Sequence, residues 1–363
     1  MLLRGRFRIF FFYDVGEAFD LNKLRDLLGS RSGATRPDFP RRTPDYVRFE
    51  NAPLAEPSEP ITLRTGEHVS CSIKYYEHAI VEVQLEATFE SAWGALLAQA
   101  SRWMDSTDAE PQGRAVVGRH LERIAPAVIK PREDWLQESY LVVELNEVRG
   151  EKGAALTADE LLSAHGEHIA QLIRGEQTRL ARMTTEHVLE GRLSYYPSDL
   201  LVVGSSAALV YDRPDEAAWT IRILEYAKMQ LLEFRYYDIF MTRVLSDVYN
   251  TLDRKRNILL SRWTLPRDAN RLNTIRLDVV ELTERVDNAI KFVSDAFYAL
   301  VYRLAASRVG VQDYRDLVEK KLETARELYG FMVDQFNEAR IFVLEAAITI
   351  LALLDVLLLL RGK

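Results

Sequence analysis

The sequence predicts an α+β protein: an N-terminal mixed α/β region, then long antiparallel coiled-coil helices, then a C-terminal transmembrane helix. Three observations carry this reading. Up to about residue 150, short runs of β-branched and aromatic residues are interspersed with helical stretches. After Pro214 the apolar residues recur in steps of three and four. From Ile341 to Leu360 the whole helix surface becomes apolar, and about 20 residues is what a bilayer core requires.

The first strand is residues 6–13 (RFRIFFFY), an apolar run fit for burial on both faces. A short helix follows from Asp20, a plausible N-cap, to Leu28. A loop rich in Pro and Arg covers Gly29 to about Pro44. Strand signals return at Asp45–Phe49, Ile61–Arg64, Val69–Tyr75 and Ala79–Thr88, the last with clear alternation. Helices are expected at about 90–104 and 113–125, and a further strand at Tyr140–Leu145. That order suggests a ferredoxin-like layer over residues 1–150.

A small α+β unit is expected over 155–214. Thr157 and Glu160 have the spacing of a capping box, which opens a helix running to about Gly175. Another helix covers roughly 176–190, and Asp199–Val203 and Ala207–Tyr211 form a hairpin around Gly204-Ser205-Ser206. Pro214 suits the first turn of a helix, where its missing N–H costs nothing. Helices of about 215–263 and 268–308, and a third after Gly310, build a coiled-coil hairpin over 215–340, with the anchor at 341–360. In the third helix the seam reads Ala325, Tyr329, Met332, Phe336, Ala339, Val343, Ala346, Ile350, Leu353, Leu357 and Leu360.

The anchor carries Glu345 and Asp355. Two central carboxylates cost about 5–7 kcal/mol on an insertion scale, against about 4–8 kcal/mol returned by the Leu, Ile, Phe and Val residues. The balance is near zero, and acids inside a membrane usually face protein, so the pair points to a self-associating anchor; the alternative is a terminal helix buried in a soluble helical oligomer. Equal rise along an antiparallel hairpin sets Val279 opposite Arg340. The turn between the first two long helices then lies near the anchor. That turn is basic, with Arg254, Lys255, Arg256, Arg262, Arg267, Arg271 and Arg276 around Trp263. Such cations would either meet anionic headgroups, at about 1 kcal/mol each, or form an ordinary solvated helix end.

The net charge of −7 argues against a nucleic-acid partner. The single Cys71 excludes an internal disulfide and suits a reducing compartment. The N-terminal apolar run is too short and interrupted for a signal peptide. The expected localisation is therefore a membrane, anchored through the C-terminus, with the body in the cytoplasm. The expected partners are the lipid bilayer and further copies of the chain.

The segment Val210-Tyr-Asp-Arg-Pro-Asp-Glu-Ala-Ala-Trp219, the coiled-coil pair and the acid-bearing apolar terminus resemble the "required for meiotic nuclear division" family, domain of unknown function 155. The likeness covers roughly residues 155–360. It implies a membrane-associated protein with a C-terminal anchor containing acids. The Trp spacing differs by one here, and the helical hairpin is longer.

Motifs for chemistry are sparse. No GxxxxGK[ST], GxGxxG or G-x-S-x-G occurs, nor the Gly-Met-Asn tripeptide of CorA-like magnesium channels. His165 and His168 lie three apart on a helix, but a metal site needs at least a third well-placed ligand. His68, His78 and His120 are scattered and suggest nothing together. Charges over 215–247, among them Arg222, Glu225, Lys228, Glu233, Arg235, Asp238 and Arg243, read first as pairing along a helix and second as a polar site between helix and strands. Arg31, Arg36, Arg41, Arg42 and Arg48 read first as a solvated loop and second as a contact for RNA or lipid. No catalytic residue, metal or cofactor is expected. The reading that follows is a non-enzymatic, membrane-anchored scaffold that self-associates through long helices. The alternatives are an ion-conducting or transport assembly and an enzyme housed in the N-terminal α+β region.

Overall fold

The structure, a computed structural model, describes residues 2–29, 33–34, 53–105, 107–148, 155–253, 277 and 296–361. It divides into two compact units: Met1–Arg235 with Val286–Asp313, and Tyr236–Arg285 with Tyr314–Lys363.

The first unit is built on a long central strand, β1 (Leu3–Asp14), which contains the expected apolar run. Phe7, Phe10, Phe11, Phe12 and Tyr13 are all buried, because both faces of the sheet are covered. β2 (Ala18–Phe19) and α1 (Leu21–Leu28) follow, and Asp20 caps α1 by accepting from the Lys23 N–H. Next come β3 (Gly33–Ala34), β4 (Leu54–Thr62), β5 (His68–Tyr76) and β6 (Ile80–Ser91). Then come α2 (Trp93–Asp105), α3 (Ala109–Ile124), β7 (Val128–Ile129) and β8 (Leu136–Val148). α4 (Ala158–Arg174) starts at the capping box of Thr157 and Glu160 and stops at Gly175 in the left-handed region. α5 (Arg182–Leu189), β9 (Arg192–Leu193), β10 (Leu200–Val203) and β11 (Ala207–Tyr211) complete the sheet.

The ferredoxin-like expectation gives way to a larger mixed sheet. Among the described residues, nine strands run in the order β3-β4-β5-β6-β1-β8-β11-β10-β9. Neighbours are antiparallel apart from β11, which lies parallel to β8 after the α4–α5 crossover. β4 extends well before the expected Ile61–Arg64. Its Pro57 and Pro60 mask the strand signal, and proline is tolerated near a sheet edge. At Gly5 the β1–β8 register shifts, and a Cβ there would sit 1.9 Å from the Glu144 carbonyl oxygen, so only glycine fits.

α1 to α4 cover one face, with Leu24, Leu96, Val116, Leu161 and Ile169 packed against Phe7, Ile9 and Phe11. α6 (Pro214–Asp253) begins on the other face, and α7 (Ala296–Val309) packs beside β10. Gly310, at φ +93°, makes the turn into α8 (Val311–Arg361).

In the second unit, the later part of α6 meets α8. Lys321 Nζ donates to the Asp238 carboxylate and to Thr242 Oγ1 (2.7 Å). Met241, Val318 and Ala325 are fully buried there.

The C-terminal transmembrane helix does not stand. Among the described residues, no helix is long and apolar enough to cross a membrane. This overturns the membrane anchor, the transmembrane part of the fold class and the membrane localisation. Residues 341–360 instead continue one uninterrupted helix, α8. The physical reason is the near-zero insertion balance: Glu345 and Asp355 cancel the transfer gain of their apolar neighbours. The strand at Asp45–Phe49, most of the second long helix and the Val279–Arg340 apposition lie outside the described residues.

Candidate functional site

The densest polar constellation on the α1–α4 face joins β4, β5 and α3. Residues two apart on a strand share a face, so Glu56 and Ser58 of β4 point the same way. His120 and Arg123, three apart on α3, look back at them. His120 Nδ1 lies 2.8 Å from Glu56 Oε1, and Tyr75 of β5 donates its phenol to the same oxygen at 2.6 Å. The Arg123 guanidinium donates there too. On its other side, His120 Nε2 faces Ser58 Oγ at 3.5 Å.

Electrostatics fix the roles. Burial alone would raise the Glu56 pKa, but the bonds from His120 and Tyr75 and the Arg123 charge outweigh it and hold the carboxyl below its ordinary value. An ionised carboxylate only accepts, so the His120 Nδ1 facing it is a donor, and in the neutral imidazole that tautomer makes Nε2, on the Ser58 side, the acceptor. The Ser58 hydroxyl also bonds the Cys71 thiol, which burial pushes up and keeps neutral. Between Ser58 and Ile61 the β4–β5 register shifts, and Pro57, Glu59 and Pro60 around Ser58 are exposed. Sequence reading missed this group because Glu56 and His120 stand 64 positions apart and no motif links them.

The opposite face carries an ionic layer. Along β1, Arg6 and Arg8 meet Glu86 of β6 and Glu144 of β8. Lys74 of β5 lies 2.8 Å from both Glu82 of β6 and Glu225 of α6, and Tyr76 donates to Glu82 at 2.7 Å. Lys228 of α6 donates to Glu138 of β8 at 2.6 Å, and Arg235 pairs with the same carboxylate. Thus Glu225, Lys228 and Arg235 bind strands; pairing along the helix, the first reading of those charges, does not describe them. Burial and the Glu225 charge push the Glu82 carboxyl up to about 7, against the attraction of Lys74, which the two acids hold cationic.

His168 stacks on Trp93 and His165 lies tilted against the same ring, with centroids 5.4 and 5.3 Å away. No group of three or more His, Cys, Asp or Glu side chains able to hold a metal occurs among the described residues. Glu345 is exposed on α8, and Thr349 donates its hydroxyl to the Glu345 carbonyl at 2.8 Å. Asp355 lies further along the same helix. Arg254, Lys255, Arg256, Arg262, Arg267, Arg271 and Arg276, and the arginines from Arg31 to Arg48, lie outside the described residues.

A family model described as "Uncharacterized protein MJ0711, N-terminal domain" matches residues 4–218. The chain is 21% identical over 200 residues to Uncharacterized protein MJ0711 of Methanocaldococcus jannaschii, a match covering 55% of this chain and 61% of that protein. The chain therefore spans less than two thirds of that relative's length. No solved structure matches. No match to the meiotic nuclear division family is found, and the resemblance to it is overturned. The segment that suggested it, Asp212 to Trp219, is a generic helix start: a proline in the first turn followed by Asp215 and Glu216, which favour any helix N-terminus. Glu56, Ser58, Tyr75, His120 and Arg123 all lie inside the matched segment.

Proposed function

The chain belongs to the family of the uncharacterised MJ0711 N-terminal domain, and from that premise we propose that it is an interaction protein that self-associates through the C-terminal part of α8. The observation that supports this is the exposure of that helix. Ile341, Ile348, Ile350, Leu351 and Leu353 are each more than half exposed, at 56–63%. Successive residues turn by about 100°, so positions 348–353, all exposed, sample every side of the helix. Exposed apolar surface of this kind marks an interaction site.

Continuity of the seam supports a second copy of the chain as the occupant. Val318, Ala325 and Leu353 belong to one heptad series. The first two are fully buried, whereas Leu353, in the same unit, is 59% exposed. A pattern that is satisfied at Val318 and Ala325 and bare at Leu353 asks for the same kind of partner, a helix with the same spacing. Light scattering coupled to size exclusion tests this. The intact chain is expected to have a mass that is a multiple of 41.7 kDa, and an Ile348→Lys/Leu351→Lys variant to have the single-chain mass. A single-chain mass for the unaltered protein at all concentrations, or an unchanged multiple in the variant, overturns the reading.

A further inference from the structure

A second activity is written into the opposite end of the chain. We propose that Ser58, His120 and Glu56 form a nucleophile–base–orienter relay that hydrolyses a carboxylic ester at the β4 bulge. The three requirements of such a relay are separate in kind, and each has its own observation.

The first is a base with its lone pair aimed at a hydroxyl. In the neutral imidazole with its proton on Nδ1, His120 Nε2 is the acceptor, and it stands 3.5 Å from Ser58 Oγ, at the outer limit of hydrogen-bond reach. The second is an orienting group that fixes the tautomer. Glu56 accepts from His120 Nδ1 at 2.8 Å and is itself immobilised by Tyr75 and Arg123, so the imidazole is held from behind. The third is access. Ser58 is partly exposed, with exposed Pro57, Glu59 and Pro60 beside it, and the bulge takes Glu59 out of the β4–β5 register. Bulges re-aim side chains next to active sites. The Cys71 thiol shares this place but is buried, which leaves the serine as the nucleophile.

The chemistry closes without any further reactant than water. Ser58 Oγ forms a bond to the ester carbonyl carbon as its proton passes to His120 Nε2 and the carbonyl π pair moves to oxygen. Collapse of the tetrahedral species breaks the bond to the alkoxy group, which leaves as the alcohol with the proton from Nε2. Water repeats the sequence on the acyl-serine, releasing the carboxylic acid and restoring Ser58. His120 and Ser58 are the catalytic residues; Glu56 is a positioning residue.

A fluorophosphonate probe reports the activated serine directly, because it phosphonylates only a nucleophile served by a base. On the full chain, peptide mapping is expected to place the label on Ser58. Ser58→Ala is expected to abolish that label, and His120→Ala to slow labelling by about 100-fold or more. Glu56→Gln is expected to lower the maximal labelling rate while leaving the half-saturating probe concentration unchanged, a split that simple loosening of α3 would not produce. The same four proteins are read against a nitrophenyl ester, whose turnover is expected to follow the labelling. No label on Ser58 in the unaltered protein, or equal labelling rates with and without the His120 imidazole, overturns the proposal. Because labelling at Ser58 needs no second copy, its outcome is independent of the oligomeric mass.

Discussion

At the scale of single residues, the ionic layer beneath α6 controls how stability depends on pH. Glu82 is an acid whose folded pKa is raised from 4.5 to about 7 by burial and by the Glu225 carboxylate. Between those values the folded chain holds more protons than the unfolded one, so stability falls as pH rises through that window. The cost is fully present above about pH 7 and absent below about pH 4.5. Glu82→Gln removes it and leaves Lys74 paired with Glu225. Calorimetry is therefore expected to show a gain in melting temperature at pH 8 that shrinks at pH 5; an equal gain at both would sink the argument. Glu56 behaves oppositely. Its folded pKa lies below its ordinary value, so it contributes stability present above that value and lost as pH falls through the folded pKa. Thermal melts of the unaltered chain and of Glu56→Gln are expected to converge in acid, and a constant offset from pH 7 to pH 3 would contradict this.

At the scale of elements, several boundaries were legible because they rest on local chemistry. Asp20 caps α1, Thr157 and Glu160 close the capping box of α4, and the Gly204-Ser205-Ser206 turn joins β10 to β11, each where the residue pattern placed it. Thr157→Ala removes the bond to the Glu160 N–H and is expected to cost about 1 kcal/mol, measured by denaturant unfolding at constant m-value. A change below a few tenths would show that the box contributes nothing. β4 was only half legible. Its prolines and acids obscure the alternation, and its identity as a strand comes from pairing with β5 rather than from its own propensity. The charges of α6 were legible as residues but not as contacts, since helix spacing cannot tell a carboxylate facing solvent from one facing Lys74 across the sheet.

At the scale of the whole molecule, self-association predicts mass-action behaviour. If α8 is covered by a second copy, the melting temperature of the intact chain is expected to rise with protein concentration. The Ile348→Lys/Leu351→Lys variant is expected to lose that dependence. A concentration-independent melt for the unaltered protein would argue that the exposed residues of α8 are covered by nothing of this chain. The apolar terminus also shows how one pattern supports two architectures. A run of apolar residues at helical spacing fits a membrane span and a helix-bundle core alike.

The sequence by itself determined what depends on neighbours in the chain: the strand at residues 6–13, the caps, the turn at Gly310, and the helical spacing that runs through α8. These follow from backbone conformation and hydrogen bonding over a few residues. Only the tertiary structure decided what depends on residues far apart. It joined β8 to β11, made one mixed sheet of strands remote in sequence, and set Glu225 against Lys74, 151 positions away. It also brought His120 to Glu56 and Ser58, a meeting that no spacing announces. Side-chain chemistry acts over a few ångströms in space, and the sheet sets those distances by pairing strands that are remote in sequence.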